Sequence, residues 1–208
     1  MIGIVDYGMG NVGSVESMIN FLGYHKTMII KSPEELKFVD KIILPGVGSF
    51  DNGMGNIIHS GWLWELHHHV IEKRKPILGI CLGMQLLMEK SEEGNRAGLG
   101  FIKGECKKFN FSDTAFLHRF RGVRLKVPHM GWNQVKPIKS DLCEEDSRFY
   151  FVHSYYVECK NKEDIMLETD YGIKFTSGVS KDNIFGVQFH PEKSHKYGMR
   201  LMEKFINL

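Results

Sequence analysis

Apolar positions recur along the chain in two rhythms, which change near residue 100. Before that point, short apolar runs alternate with stretches of helical spacing. Ile2–Val5, Thr27–Ile30, Lys41–Leu44 and the segment around Ile77, Leu78 and Ile80 read as strands, the last apolar enough to be covered on both faces. Between them, Val12 to Leu22 places Val12, Val15, Ile19 and Leu22 on one helix face, residues 54–73 read as helical, and a helix opens after Cys81. Beyond Gly98-Leu99-Gly100 the rhythm becomes strand-like with hairpin spacing, over Phe101–Phe111, Leu125–Val135, Phe149–Cys159, Gly172–Val179 and Ile184–Phe189. An amphipathic helix from Lys193 onward turns Leu201, Met202, Phe205 and Ile206 inward. The pattern predicts an α/β first half with a β-rich continuation. No repeat, low-complexity stretch or linker divides it, so a single domain over residues 1–208 is expected.

Composition narrows the function classes. The 208 residues are 42% hydrophobic and 25% charged, ordinary for a soluble globular protein. A formal net charge of +2 gives no reason to expect nucleic acid or an acidic membrane as partner. No signal peptide and no apolar run of membrane-spanning length is evident, which predicts a cytoplasmic protein. Cys81, Cys106, Cys143 and Cys159 are widely spaced without a CxxC pair, and read as free thiols.

Candidate chemistry gathers at Gly79-Ile80-Cys81-Leu82-Gly83, the cysteine form of the G-x-S-x-G nucleophile elbow. Such a turn holds the sulfur at a strand's carboxyl end over a helix amino end, which favours thiolate. The stretch alone fits a buried structural cysteine equally well. Pro45-Gly46-Val47-Gly48 could present backbone N–H groups to a cleft at the end of its own strand, as an oxyanion hole requires. Gly8-Met9-Gly10-Asn11-Val12-Gly13 matches G-x-G-x-x-G, but Lys31, Ser32 and Pro33 follow the second strand where a ribose-binding acid belongs, so a dinucleotide site is set aside. His67-His68-His69 suggests a metal, yet consecutive helix positions face different directions and no carboxylate or cysteine partner is expected at i+4, so a solvated or partly packed face is expected instead. The basic run from His118 to Lys126 reads as a solvated edge or a docking surface for an acidic partner. His153 and His190 compete as catalytic base. His190 is preferred, because Phe185, Val187 and Phe189 alternate up to it, Pro191 ends the strand, and Glu192 can accept from one imidazole nitrogen while the other faces a thiol.

Together these residues resemble the class I, triad-type glutamine amidotransferases. Asp6–Asn11, Pro45–Phe50, Gly79–Gln85, Pro128–Asn133, His153–Tyr155 and Phe189–Ser194 occur in that family's order over nearly the whole chain. The resemblance implies a flavodoxin-like fold: a mostly parallel central sheet flanked by helices, with added antiparallel strands in the second half. It implies glutamine as substrate, with Cys81 as nucleophile, His190 as base and Glu192 as its support. It further implies an oxyanion hole at Val47, Gly48 and Leu82, and glutamine contacts at Gly46, Gly48, Gln85, Ser154 and Tyr155. No metal or organic cofactor is called for. The first and fourth motifs are similar, within the family, to glutaminases that pass ammonia to a (β/α)8-barrel cyclase subunit making imidazole glycerol phosphate in histidine biosynthesis. On that likeness Asn11, Trp132, Tyr150 and the basic stretch from Arg119 to Lys126 are the expected heterodimer contacts. The alternative partner is a sugar amidotransferase synthetase of surface polysaccharide biosynthesis.

Overall fold

The computed structural model describes residues 1–111, 125–139 and 141–208. The first half forms as its periodicity predicts. Strands β1 (Ile2–Val5), β2 (Thr27–Ile30), β3 (Lys41–Gly46) and β4 (Ile77–Cys81) are joined by helices α1 (Val12–Phe21), α2 (Phe50–His59) and α3 (Trp62–His67). Strand β3 runs two residues further than expected, through Pro45 and Gly46, which brings Gly46 into register with Cys81 on β4. The expected helix over 54–73 begins earlier, at Phe50, and breaks at Gly61, whose φ of +77° suits glycine. One π-helical turn, His68–Glu72, completes that segment.

Helix α4 (Leu82–Leu86) springs directly from β4. A short strand β5 (Lys90–Ser91) follows, then β6 (Gly104–Lys108), β7 (His129–Pro137), β8 (Ser147–His153), β9 (Tyr155–Cys159), β10 (Ile165–Asp170), β11 (Lys174–Lys181), β12 (Ile184–Val187) and α5 (His195–Ile206). The single strand expected over Phe149–Cys159 is two, divided at Ser154. Strands β5 and β10 had no counterpart in the sequence pattern.

Among the described residues the strands form one sheet, ordered β2-β1-β3-β4-β12-β11-β10-β7-β8. It is parallel from β2 to β12 and antiparallel beyond, with β9 and then β6 branching antiparallel from β11 and β5 joining β6 in parallel. Alternate side chains of the parallel strands serve two cores. Val5, Ile42, Leu44 and Ile77 pack with α2 and α3, while Ile2, Ile4, Ile43, Leu78 and Ile80 pack with α1 and α5. Both faces are therefore covered, which explains why these strands read as continuous apolar runs.

Of the three consecutive histidines, His69 is buried and its imidazole lies 3.5 Å from Glu65; His68 bonds Glu72 at 2.7 Å, four residues on. Glu72 thus corrects the expectation that no carboxylate partner lies at i+4. Among the described residues no group of three or more His, Cys, Asp or Glu is placed to hold a metal ion.

Candidate active site

The elbow is built by close backbone approach. A side chain at Gly83 would meet the Leu44 carbonyl oxygen at 1.8 Å, and one at Gly79 would meet the Gly83 backbone at 2.7 Å. Only glycines let α4 lie this tightly on β3 and β4. The turn leaves Cys81 at φ +54°, ψ −109°, a conformation that L-residues rarely adopt. Its sulfur faces a cavity of about 300 Å³ at the carboxyl ends of the parallel strands.

Eight of the predicted residues line that cavity: Val47, Gly48, Cys81, Leu82, Gln85, Ser154, Tyr155 and His190. Gly46 lies beneath, packed against Gly83 and Leu82, and does not line it. Glu192 stands behind His190, whose Nδ1–H donates to Glu192 Oε1 at 2.7 Å; both side chains are buried. The histidine is held by its own N–H, which donates to the Tyr150 carbonyl at 2.9 Å. Ser194 clamps the same turn, donating to the His190 carbonyl at 2.6 Å and accepting from the Tyr150 N–H at 3.0 Å.

Burial disfavours the His190 imidazolium, but the neighbouring Cys81 sulfur and the Glu192 carboxylate favour it more strongly and raise its pKa to about 9. No hydrogen bond of good geometry joins Nε2 to the sulfur. Cys81 therefore acts on His190 through proximity and charge, and the formed bond is the one to Glu192.

His153, the competing base, also lines the cavity. Its Nδ1–H donates to the Tyr155 carbonyl at 2.7 Å, and burial drives its pKa down to about 3, so it stays neutral. Four further residues were not singled out in the sequence as part of the site, among them Val152 in the cavity lining. Glu93 is the carboxylate in the cavity wall, and its Oε2 accepts from the Phe50 N–H at 2.8 Å. Pro128 closes another side. Gln188, wholly buried, donates from Nε2 to the Cys81 sulfur at 3.7 Å and accepts from Gln85 Nε2 at 3.0 Å. Gln85 Nε2 also donates to the Tyr155 carbonyl at 3.2 Å, which commits its amide hydrogens within the protein and leaves its oxygen for a ligand.

The expected partner residues converge elsewhere on the surface. Trp132, 40% exposed, stacks on His195 at 5.6 Å and meets Tyr150 edge-on at 6.4 Å. Asn11 caps α1 by accepting from the Ser14 N–H, and lines a groove with Lys193 and His195. Of the basic stretch from Arg119 to Lys126, residues 119–124 lie outside the described residues.

The cavity thus holds a cysteine on an elbow and a histidine backed by a carboxylate. The family model for class I glutamine amidotransferases matches residues 4–208, and the chain belongs to that family. It is 53% identical to the imidazole glycerol phosphate synthase subunit HisH 2 of Methanococcus maripaludis, over 99% of this chain and 98% of the relative. Identity is 47% to HisH 2 of Pseudomonas aeruginosa and 46% to HisH of Leptospira borgpetersenii, over the full length of both chains in each case. A solved glutamine amidotransferase at 15% identity superposes with a TM-score of 0.75, covering 99% of this chain and 97% of that one, and so shares the fold.

Proposed function

We propose that the chain is a glutaminase subunit that hydrolyses glutamine to glutamate and ammonia for a cyclase making imidazole glycerol phosphate. The observation that carries the chemistry is Cys81 in one cavity with His190, itself bonded to Glu192. Cys81 attacks the substrate's side-chain amide carbon and its proton passes to His190. The Leu82 N–H and those of Val47 and Gly48 receive the developing oxyanion; one such donor is worth about 3 kcal/mol. His190 then protonates the departing ammonia. Water, deprotonated by the same imidazole, hydrolyses the γ-glutamyl thioester and releases glutamate and the thiol. Glutamine also carries an α-ammonium group, which the Glu93 carboxylate and the free Gln85 oxygen suit as acceptors. Ser154, Tyr155 and the segment at Gly46 and Gly48 complete its surroundings.

The proposed partner is a (β/α)8-barrel cyclase, contacted through Asn11, Trp132 and Tyr150, with residues 1–208 acting as one cytoplasmic domain. Among the described residues no helix is long and apolar enough to cross a membrane. The relatives' names support the cyclase as acceptor and give no support to the sugar synthetase. In the presence of cyclase and its ligand, Cys81→Ala should lower glutamate release by roughly four orders of magnitude while the two subunits still copurify. Retained hydrolysis would remove Cys81 from the reaction.

A further inference from the structure

A series of hydrogen bonds, buried beyond the half-buried Asn133 at its start, runs from β7 to the Cys81 sulfur, and each donor and acceptor in it is fixed. The Tyr155 carbonyl can only accept, so His153 Nδ1 carries a hydrogen. His153 Nε2 must then accept, and His129 Nδ1–H donates to it at 2.9 Å. His129 Nε2 is left to accept from Asn133 Nδ2 at 3.2 Å, and Asn133 is anchored in turn on the Asp170 carbonyl at 2.9 Å. From the other side, Gln85 Nε2 donates to the same Tyr155 carbonyl and to Gln188 Oε1. With its oxygen so engaged, Gln188 has only its NH₂ to turn toward sulfur. Both imidazoles are held neutral by burial, His129 at about 4 and His153 at about 3, so the series keeps this polarity at neutral pH.

We propose that Gln188 is a further catalytic residue of this site, its Nε2–H stabilising the Cys81 thiolate, and that Asn133, His129, His153 and Gln85 are positioning residues that hold it there. An N–H aimed at sulfur stabilises the anion more than the thiol, because hydrogen bonds to charged acceptors are the stronger ones. Gln188 follows β12 directly and is wholly buried, where an unbonded carboxamide would be costly. The series satisfies its oxygen, which accepts from Gln85 Nε2, and leaves its Nε2–H to donate to the Cys81 sulfur. Asn133 lies beside Trp132 on β7, so the far end of the series adjoins the proposed partner surface.

The inference rests on Cys81 being the nucleophile, and is tested separately from glutamine turnover. The pH dependence of Cys81 alkylation by iodoacetamide, followed by site-resolved mass spectrometry on the isolated chain, reports the thiolate directly. Gln188→Met and Gln188→Glu should each move the alkylation midpoint upward and slow the reaction at pH 7 about tenfold. Asn133→Leu, at the far end, should move it in the same direction by about twofold. An unchanged midpoint in a folded Gln188 variant overturns the proposal. Should both Gln188 variants fail to fold, the wild-type protein decides: the Gln188 side-chain amide proton, observed by NMR with ¹⁵N-amide glutamine labelling, should shift as the Cys81 thiol titrates, and a flat signal overturns it. Loss of glutamate release from the wild type with cyclase present would count against the glutaminase reading alone.

Discussion

The parallel and antiparallel halves of the sheet contribute to the site in different currencies. The parallel half, β2 to β12, supplies position. Its strands end together, so the Cys81 elbow, the Gly46–Gly48 segment and His190 meet at one edge by backbone geometry. The antiparallel half supplies environment. Strands β7, β8 and β9 bring Pro128, His153, Ser154 and Tyr155 to the cavity wall, together with a packed aromatic layer in which Phe149 stacks on Phe189 at 3.8 Å. The lesson is that the reacting groups need the precise crossing of strands and α4, whereas the antiparallel half walls the cavity around them. Each half can therefore be broken by a different kind of substitution.

The largest effect should come from the reacting line itself. Glu192→Gln keeps shape but replaces the carboxylate that orients and charges His190 with a neutral amide, and should lower glutamine hydrolysis about 10³-fold with an unchanged circular dichroism spectrum. Loss of fold instead of activity would mean that Glu192 serves structure. Next comes the backbone crossing. Gly83→Ala drives a methyl into the Leu44 carbonyl and should destabilise the chain by about 3 kcal/mol or more, lowering Tm by roughly 6–12 °C. A Tm within a degree of wild type would show that α4 can shift without penalty.

The subtlest test separates the halves by pH. His190 binds its proton more tightly folded than unfolded, so its stabilising contribution is full below about 6.5 and is lost as pH rises toward about 9. His129 and His153 do the reverse. Their neutral forms are favoured in the fold, so their contribution is present above about 6.5 and is lost as pH falls toward 4 and 3. Chemical denaturation from pH 4 to 9 should show His190→Gln flattening the alkaline limb and His153→Gln the acid limb, each on the order of 2 kcal/mol. Parallel curves for variant and wild type would refute the assignment of that limb.

How far each half could be read in the sequence follows the same division. The parallel strands and α1 appear within a residue or two of their expected bounds, because full burial leaves unbroken apolar runs. Strand β10 was missed because register shifts at Ile165, Leu167 and Glu168 destroy its alternation. Gln188 was missed for a related reason. Within the alternation Phe185, Val187, Phe189 an intervening polar residue looks solvent-facing, yet Gln188 stands one residue past β12, its N–H bonded to the Ser177 carbonyl at 2.9 Å, and is wholly buried. Glu93 lies twelve positions beyond Cys81 in a charged loop with no periodic signal, and only the fold carries it to the cavity. Cys81, His190 and Glu192 were legible because each sits at a backbone discontinuity that glycine or proline marks.

The left-handed backbone at Cys81 has a consequence for stability. Any side chain there is held against its preference, typically by 1–3 kcal/mol, and glycine alone would relax it. The chain would be sturdier with the one residue that ends its chemistry. A cysteine kept at φ +54° is thus a standing opposition between durability and reactivity, confined to a single peptide unit and borne by the sheet on either side of it.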